Sequence, residues 1–438
     1  MGAVKDSLKI FSGRIAVIIA GALANILIAR ILGPEGQGIY TLIILLPFLA
    51  AKIGDLGIGH ANVYFLGKKE HGLQKIANNS FSLAIIIGLL VLVISGFALN
   101  FLQPSFFKNV PLAYLRVALL TLPFFLFISY FGMILLGANR INEYNVVQNF
   151  LRSLPLLLFL LFFLVILKKG LLGATLAWAL TNIIAGAVSI YFVQRLTGIK
   201  WAVDFKFCKE LIKFGVKGYL ATIMNFLNYR LDILLINFFT SAVLVGYYSI
   251  SVLIAETLLF FPTSIGLALF PRTAQSSREL PYRSTPQICR VSLFLTFISA
   301  CILFVLSKSI ILILFGKQFI PAYQPLKILL PGIAALSVCN ILNFDLIGRG
   351  KPIFVTYASG VALGINIILN LLFIPRWGIS GAALSSTLSY VVMTAIVLKK
   401  FLSISENKFL DTVFIKREDF KVIRSKFAKF AEKIHYGK

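Results

Sequence analysis

The sequence predicts an all-α polytopic membrane protein: twelve transmembrane helices as two six-helix bundles related by a pseudo-two-fold along the membrane normal. Three observations predict it. Hydrophobic residues make up 59% of the 438 and charged residues 13%, about half the charged share of a soluble domain, and mean hydropathy is +0.91. The apolar residues come in repeated blocks, each long enough to cross a hydrocarbon core of about 30 Å. Short motifs recur in the two halves at one nearly constant offset.

The spans follow in order from the apolar blocks and the turn chemistry between them. The first, 9–32, ends at "LGPEGQG", and the second, 39–66, opens at Gly38-Ile39-Tyr40. The third, 77–102, closes at "LQPSFFKNVP", and the fourth, 111–136, runs into "LGANR". The fifth, 143–167, stops at "ILKKG". After the sixth, 170–194, comes the longest internal connection, "RLTGIKWAVDFKFCKELIKF", basic and amphipathic and expected to lie at the membrane surface. The seventh, 211–239, and eighth, 243–270, flank "TSAVLVGYYS". The ninth is 287–316, the tenth, 322–348, ends at "GRGKP", the eleventh, 353–375, at "IPRWG", and the twelfth is 379–401. The expected organisation is a first bundle at 1–196, an amphipathic cytoplasmic linker at 197–213, a second bundle at 214–402 and a basic amphipathic tail at 403–438. Pro47, Pro123, Pro155 and Pro262 fall within spans and are candidates for bends.

Charge sets the orientation. With both termini cytoplasmic, most of the 42 lysines and arginines fall on the inner side, 11 of them from Lys399 onward, as the positive-inside rule requires for an even number of helices. The net charge of +26 is then a topology signal, and with no soluble basic domain there is no case for nucleic-acid binding. In the tail, Phe420, Ile423, Phe427, Phe430 and Ile434 recur at spacings of three and four among lysines and an arginine. That pattern suits a helix resting on an anionic leaflet, so membrane lipids are an expected partner. The first apolar stretch continues as a full span, so no cleavable signal peptide is expected. Cys208, Cys289, Cys301 and Cys339 show neither disulfide nor metal-ligand spacing. No GxxxxGK[ST] occurs, which excludes a phosphate-loop pump.

The halves repeat. Gly38-Ile39-Tyr40 matches Gly246-Tyr247-Tyr248, 208 residues on, and Gly173-Ala174 matches Gly381-Ala382, again at 208. Gly137 matches Gly348 at 211. Six helices per repeat is an even number, so the repeats share one orientation, with the substrate path between them.

"LIARILGPEGQGIYTLI" (27–43), "LGANR" after the fourth helix, "YRLDILLI" with "VGYYSIS" across the seventh and eighth, and "NIILNLLFIPRWGISGAALSS" (366–386) form an ordered set. In that set the chain resembles the oligosaccharide flippases, the Wzx-type or O-antigen branch of the multidrug/oligosaccharidyl-lipid/polysaccharide exporter superfamily. The resemblance implies translocation of a polyprenyl-diphosphate-linked oligosaccharide across the cytoplasmic (inner) membrane. It also implies two bundles in a V, with the first, second, seventh and eighth helices lining a central cavity, and a polysaccharide polymerase or another assembly protein as partner. A membrane polymerase or glycosyltransferase is the alternative from another class, but those enzymes expose a large outer loop, and every outer connection here is short. A multidrug exporter is the nearer alternative, disfavoured by the many interior cations.

A charge at the bilayer centre costs somewhere between about 2.5 and more than 10 kcal/mol, so each such residue needs a partner, water or a ligand. Arg30, Lys52 and Arg230 are the cations expected to hold diphosphate or acidic sugars, since guanidinium grips phosphate oxygens bidentately. Asn25 and Asn228 are expected to meet sugar hydroxyls. Asp55, Asp232 and Glu256 are the carboxylates suited to H+ or Na+ coupling, with no other cofactor. Arg230 and Asp232, at i and i+2, diverge around the helix and cannot serve each other, whereas Lys52 and Asp55, three apart, can face one another. Interhelical salt bridges that fix bundle register are the competing reading of all these charges.

Overall fold

The computed structural model of the chain describes residues 2–275, 280–405 and 407–420. They are almost entirely helical, with no strand among them, as a chain in lipid must be if each backbone N–H is to find an acceptor within its own segment. The first half comprises α1 (Gly2–Gly54), α2 (Ile58–Lys68), α3 (Leu73–Phe106), α4 (Leu112–Leu119), α5 (Leu122–Gly137), α6 (Ile141–Asn145), α7 (Leu151–Leu160) and α8 (Gly170–Thr197). After it come α9 (Phe205–Phe239), α10 (Ala242–Thr257), α11 (Phe260–Gln275), α12 (Leu280–Phe315), α13 (Tyr323–Gly348), α14 (Pro352–Ser405) and the short α15 (Phe409–Val413). Among the described residues eight helices are long and apolar enough to cross a membrane, or nine if α10 and the start of α11, bent by 46° at their junction, count as one.

Breaks replace several expected loops. α1 and α14 each run through a kink at a left-handed glycine, Gly33 (φ 67°) and Gly378 (φ 55°), where "LGPEGQG" and "IPRWG" predict turns. Only glycine takes these dihedrals at little cost. The second span, expected to be continuous, is interrupted between Gly54 and Ile58, with Leu56 (φ 52°) and Gly57 (φ 71°) both left-handed. α9 presses on this gap so closely that a Cβ on Gly57 would lie 2.5 Å from the Gly215 carbonyl oxygen. In the fifth span Pro155 sits between two π-helical turns, Val146–Phe150 and Leu161–Ile166, the kind of local adjustment that accommodates a missing N–H.

The basic connection after the sixth span is only partly a connection. Gly198 (φ 64°) caps α8, residues 199–204 cross as a strap, and α9 then begins at Phe205 and continues unbroken into the seventh span. Asp204 caps α9 by accepting the Phe207 N–H at 3.1 Å. The strap is pinned to the start of α3: Lys200 N–H donates to Asn78 Oδ1 (2.8 Å), Asp204 N–H to Asn79 Oδ1 (2.7 Å), Ser82 Oγ to Ala202 O (2.9 Å), and Lys75 Nζ lies 2.7 Å from Asp204. The Lys75 hydrogen bond, with that from the Phe207 N–H, holds the Asp204 carboxyl below its ordinary value. Most of the predicted tail helix, from 421 onward, lies outside the described residues. Before that point the chain folds back on α12. Arg290 donates to both oxygens of the fully buried Asp419 (2.7 and 2.9 Å), Gln287 and the Lys416 N–H complete its shell (3.1 and 2.8 Å), and Phe420 meets Phe294 edge-on at 5.5 Å.

The chain divides into two compact units. One holds the described residues to Ile223 with Ile233–Tyr247 and Leu312–Phe319; the other holds Met224–Asp232, Tyr248–Ile311 and the described residues from Ile320. The core of the first packs Tyr130, Phe131 and Ile134 of α5 on Ile58 and Phe65 of α2, Ile76 and Ala84 of α3, and Phe207 and Leu211 of α9.

Repeat-related residues meet inside this first unit. A Cβ on Gly38 would collide with the carbonyl oxygen of Ala242, and one on Gly246 with that of Pro34. Pro34 and Ala242, like Gly38 and Gly246, are 208 apart, so the contact is two-fold. A second pair follows nearly the same offset, 207 from Arg30 to Asn237. Arg30 donates from Nε to Leu314 O (2.8 Å) and from Nη2 to Ile313 O at the C-terminus of α12, while Asn237 donates to Phe106 O (2.9 Å) at the C-terminus of α3. Donors at a helix C-terminus meet carbonyls that have no intrahelical partner.

Candidate functional site

In the second unit the seventh span presents Asn228, Arg230 and Asp232 within little more than one turn of α9. Arg230 and Asp232 diverge as their spacing requires and find different helices. Arg230 grips Glu256 with two guanidinium nitrogens at 2.6 and 2.9 Å. Glu256 stands next to the last residue of α10, at the 46° bend. The two residues expected to serve substrate and ion separately are thus joined in one bidentate pair.

Asp232, 1% exposed, accepts the hydroxyls of Tyr248 on α10 (2.5 Å) and Ser386 on α14 (3.1 Å). The polar chain continues along α14: Asn366 Nδ2 donates to Ser386 Oγ (3.4 Å) and Asn370 Nδ2 to Asn366 Oδ1 (2.8 Å). Ser389 donates to Asn228 Oδ1 at 2.7 Å. Two atoms of this fully buried group, Asn370 Oδ1 and Asn228 Nδ2, have no hydrogen-bond partner among the described residues. Leaving such atoms unsatisfied costs roughly 1–3 kcal/mol each. A carboxylate that accepts two hydroxyls is a group whose bonding changes on protonation.

In the first unit Asp55 lies in the gap between α1 and α2. Its carboxylate accepts the Ser129 hydroxyl and, at 3.1 Å, the Gly57 N–H, while Tyr130 donates to its carbonyl oxygen (3.1 Å). Lys52, three residues before Asp55 on the same helical turn, lies near enough to act on its charge but forms no ion pair with it among the described residues. Lys52 instead lies 6.0 Å above the Tyr219 ring. Asn25 donates to Gly21 O one turn back on α1 (2.9 Å), and Arg30 caps α12 as described. His, Cys, Asp and Glu form no metal-holding group among the described residues, and the four cysteines are free thiols.

The structure adds Tyr248, Ser386, Asn366, Asn370 and Ser389 to the site. In the sequence Asn366 and Asn370, four apart, share a helix face, but nothing there connects that face to Asp232. The link is tertiary.

The profile of the polysaccharide biosynthesis protein family matches residues 3–277. The chain is 24% identical over 420 residues to a Shigella flexneri protein carrying the name of an O-antigen transporter, covering 91% of this chain and 97% of that one. It is 26% identical over 237 residues to a Haloferax volcanii protein named as a low-salt glycan biosynthesis flippase, 52% of this chain and 48% of that one. Among solved structures it superposes on the lipid II flippase MurJ in an inward closed conformation with a TM-score of 0.75 at 16% identity, over 91% and 89% of the two chains. It superposes on an inward-facing MATE-family multidrug resistance transporter with a TM-score of 0.72 at 15% identity, over 89% and 96%. At these identities the structural likenesses speak for the fold.

Proposed function

Since the chain belongs to the polysaccharide biosynthesis protein family, we propose that it is a flippase moving a polyprenyl-diphosphate-linked oligosaccharide across the cytoplasmic membrane for cell-surface polysaccharide synthesis, without catalysing a reaction. Kinked α1 and α14 count as two spans each, α10 and α11 as one, and α9 as the seventh, which gives twelve spans in two bundles with both termini cytoplasmic. The bundles alternate access around a central path, and a polysaccharide polymerase takes the product onward. Lys52 and Arg230, with Asn25 and Asn228, serve the anionic and hydroxylated head, Arg230 holding its geometry through Glu256.

The observation that carries this reading is the buried Asp232 network. Its carboxylate holds a tyrosine of α10 and a serine of α14 to α9. Protonation, or a cation such as Na+ at its oxygens, changes what that carboxylate can accept, and so changes how three helices are held together. That makes Asp232 the coupling residue, with Asp55 in the interrupted second span as its counterpart in the first unit.

The test uses the native host with this gene deleted, measuring lipid-linked oligosaccharide in each leaflet. Inner-leaflet accumulation cured by the wild-type chain but not by Asp232→Asn is the expected result. No accumulation, together with altered drug sensitivity, would replace this reading with that of a multidrug exporter.

A further inference from the structure

Arginines on or at the ends of the long helices differ in what their guanidinium groups hold. Arg230 holds Glu256, Arg290 holds Asp419, Arg349 holds Asp345, and Arg30 caps the carbonyls of α12. Arg152, near the middle of the fifth span, holds none of these. Its guanidinium lies over two rings, 5.7 Å from the centroid of Phe48 and 5.9 Å from that of Phe125, and Trp178 backs both rings at 6.0 and 5.7 Å. Among the described residues no carboxylate stands within ion-pair distance of it and no acceptor takes its N–H groups.

Such a seat has a specific chemical consequence. Ring faces attract a guanidinium through its plane, without hydrogen bonding, so the N–H fork at its edge keeps its donors for another group. Lys52 follows Phe48 by four residues on α1, which is one helical turn and the same face. It too forms no ion pair among the described residues, although Asp55, which accepts the Ser129 hydroxyl and the Gly57 N–H, lies near enough to feel its charge. Two cations outside any ion pair are thus tied to the Phe48 face of the second span, Arg152 through the ring and Lys52 one turn on, in a setting where an uncompensated charge is costly.

We infer that Arg152, with Lys52, is an oxyanion anchor inside the membrane, gripping a phosphate or carboxylate group of the translocated lipid-linked glycan through the guanidinium edge. This rests on the flippase reading and moves the principal anion contact from Arg230 to Arg152. Phe48 and Phe125 are the positioning residues that hold the fork in place.

The test uses the full chain in lipid nanodiscs and two probes, geranylgeranyl diphosphate for a lipid diphosphate and methyl glucuronide for an acidic sugar. Wild type, Arg152→Gln, Arg152→Lys and Phe48→Leu are compared by dissociation constant, with unfolding midpoints to show that each variant folds. Arg152→Gln is expected to weaken one probe at least ten-fold, with Arg152→Lys between it and wild type, because a lysine keeps the charge but loses the fork. Phe48→Leu is expected to weaken the same probe several-fold while leaving the charge in place. The affected probe identifies the source of the anion. Equal affinity in wild type and a folded Arg152→Gln, or no binding of either probe by wild type, overturns the assignment. Leaflet measurements in the deletion host separate the two readings. Undiminished translocation by Arg152→Gln removes Arg152 and leaves the flippase, whereas no accumulation in the deleted strain removes the flippase and leaves the binding result standing.

Discussion

Arg230 and Glu256 make the sharpest residue-level prediction. Removing one partner of a partly buried ion pair strands the other, whereas removing both leaves neither uncompensated. Arg230→Gln and Glu256→Gln should each lower the unfolding midpoint in nanodiscs more than the double variant does, and each single change should cost about 1–3 kcal/mol after allowance for partial exposure. A double variant as unstable as the sum of the singles would show that the pair is not coupled. Tyr248→Phe removes one donor from the Asp232 carboxylate and should cost about 1–3 kcal/mol, read as a lowered midpoint, while Asp232→Ala in the same protein, which removes the acceptor, should make the tyrosine substitution nearly silent. The sequence exposes the need for partners at Arg230 and Asp232 because their spacing forbids pairing within the helix. It conceals the partners themselves, since Tyr248 and Ser386 arrive from elements 16 and 154 residues away.

Elements of this chain are shaped by glycine where backbones touch. A helical Gly→Ala change ordinarily stabilises by about 0.5–1 kcal/mol, and Gly21, with nothing within 4 Å of a Cβ, should follow that rule. Gly38→Ala and Gly246→Ala should do the opposite, because the added methyl meets a carbonyl oxygen of the facing backbone and neither backbone can give way as a side chain can. Lowered midpoints and lost export for both, with Gly21→Ala unaffected, is the expected pattern. The strap that returns from α14 to α12 gives a pH prediction. Burial acts to raise the Asp419 carboxyl, but hydrogen bonds from Arg290, the Lys416 N–H and Gln287 outweigh it and hold it below the ordinary value of 3.8. A depressed folded value means that the stabilisation is complete above 3.8 and is lost as pH falls through the folded value. A spin label on a cysteine at the exposed Leu410 should therefore stay immobile at pH 6 and gain mobility only below about pH 3.8. Kinks were less legible than spans: "LGPEGQG" and "IPRWG" mark turns, but whether a turn becomes a loop or a kink within one helix depends on what packs across it. The interruption at Leu56–Gly57 has a signature, the Gly54-Asp55-Leu56-Gly57 cluster in which Asp55 accepts the Gly57 N–H, but its apolar flanks mask it, and the close approach of Gly215 on α9 is visible only in the fold.

At the scale of the whole molecule, composition was enough for class, and the offset of 208 already paired the Gly38 and Gly246 stretches that touch, since both survive any uncertainty in the ends of helices. Orientation is checkable. With the four native cysteines replaced, a cysteine at Glu35 should react with an impermeant maleimide on intact cells, and one at Lys408 only after permeabilisation. The reverse pattern would invert the topology. The joint at Gly38 and Gly246 carries a longer consequence. A contact in which one residue meets a second, and the counterpart of the second meets the counterpart of the first, has the geometry of an isologous homodimer interface. The chain thus carries, inside one compact unit, a contact of the kind that joins two identical copies. In a homodimer any substitution at such a seam acts twice, whereas in a fused chain each side can change alone. Gln37 and Ile39 have already parted from Val245 and Tyr247 at the same offset, and the two glycines, where the backbones leave no room for a side chain, have not.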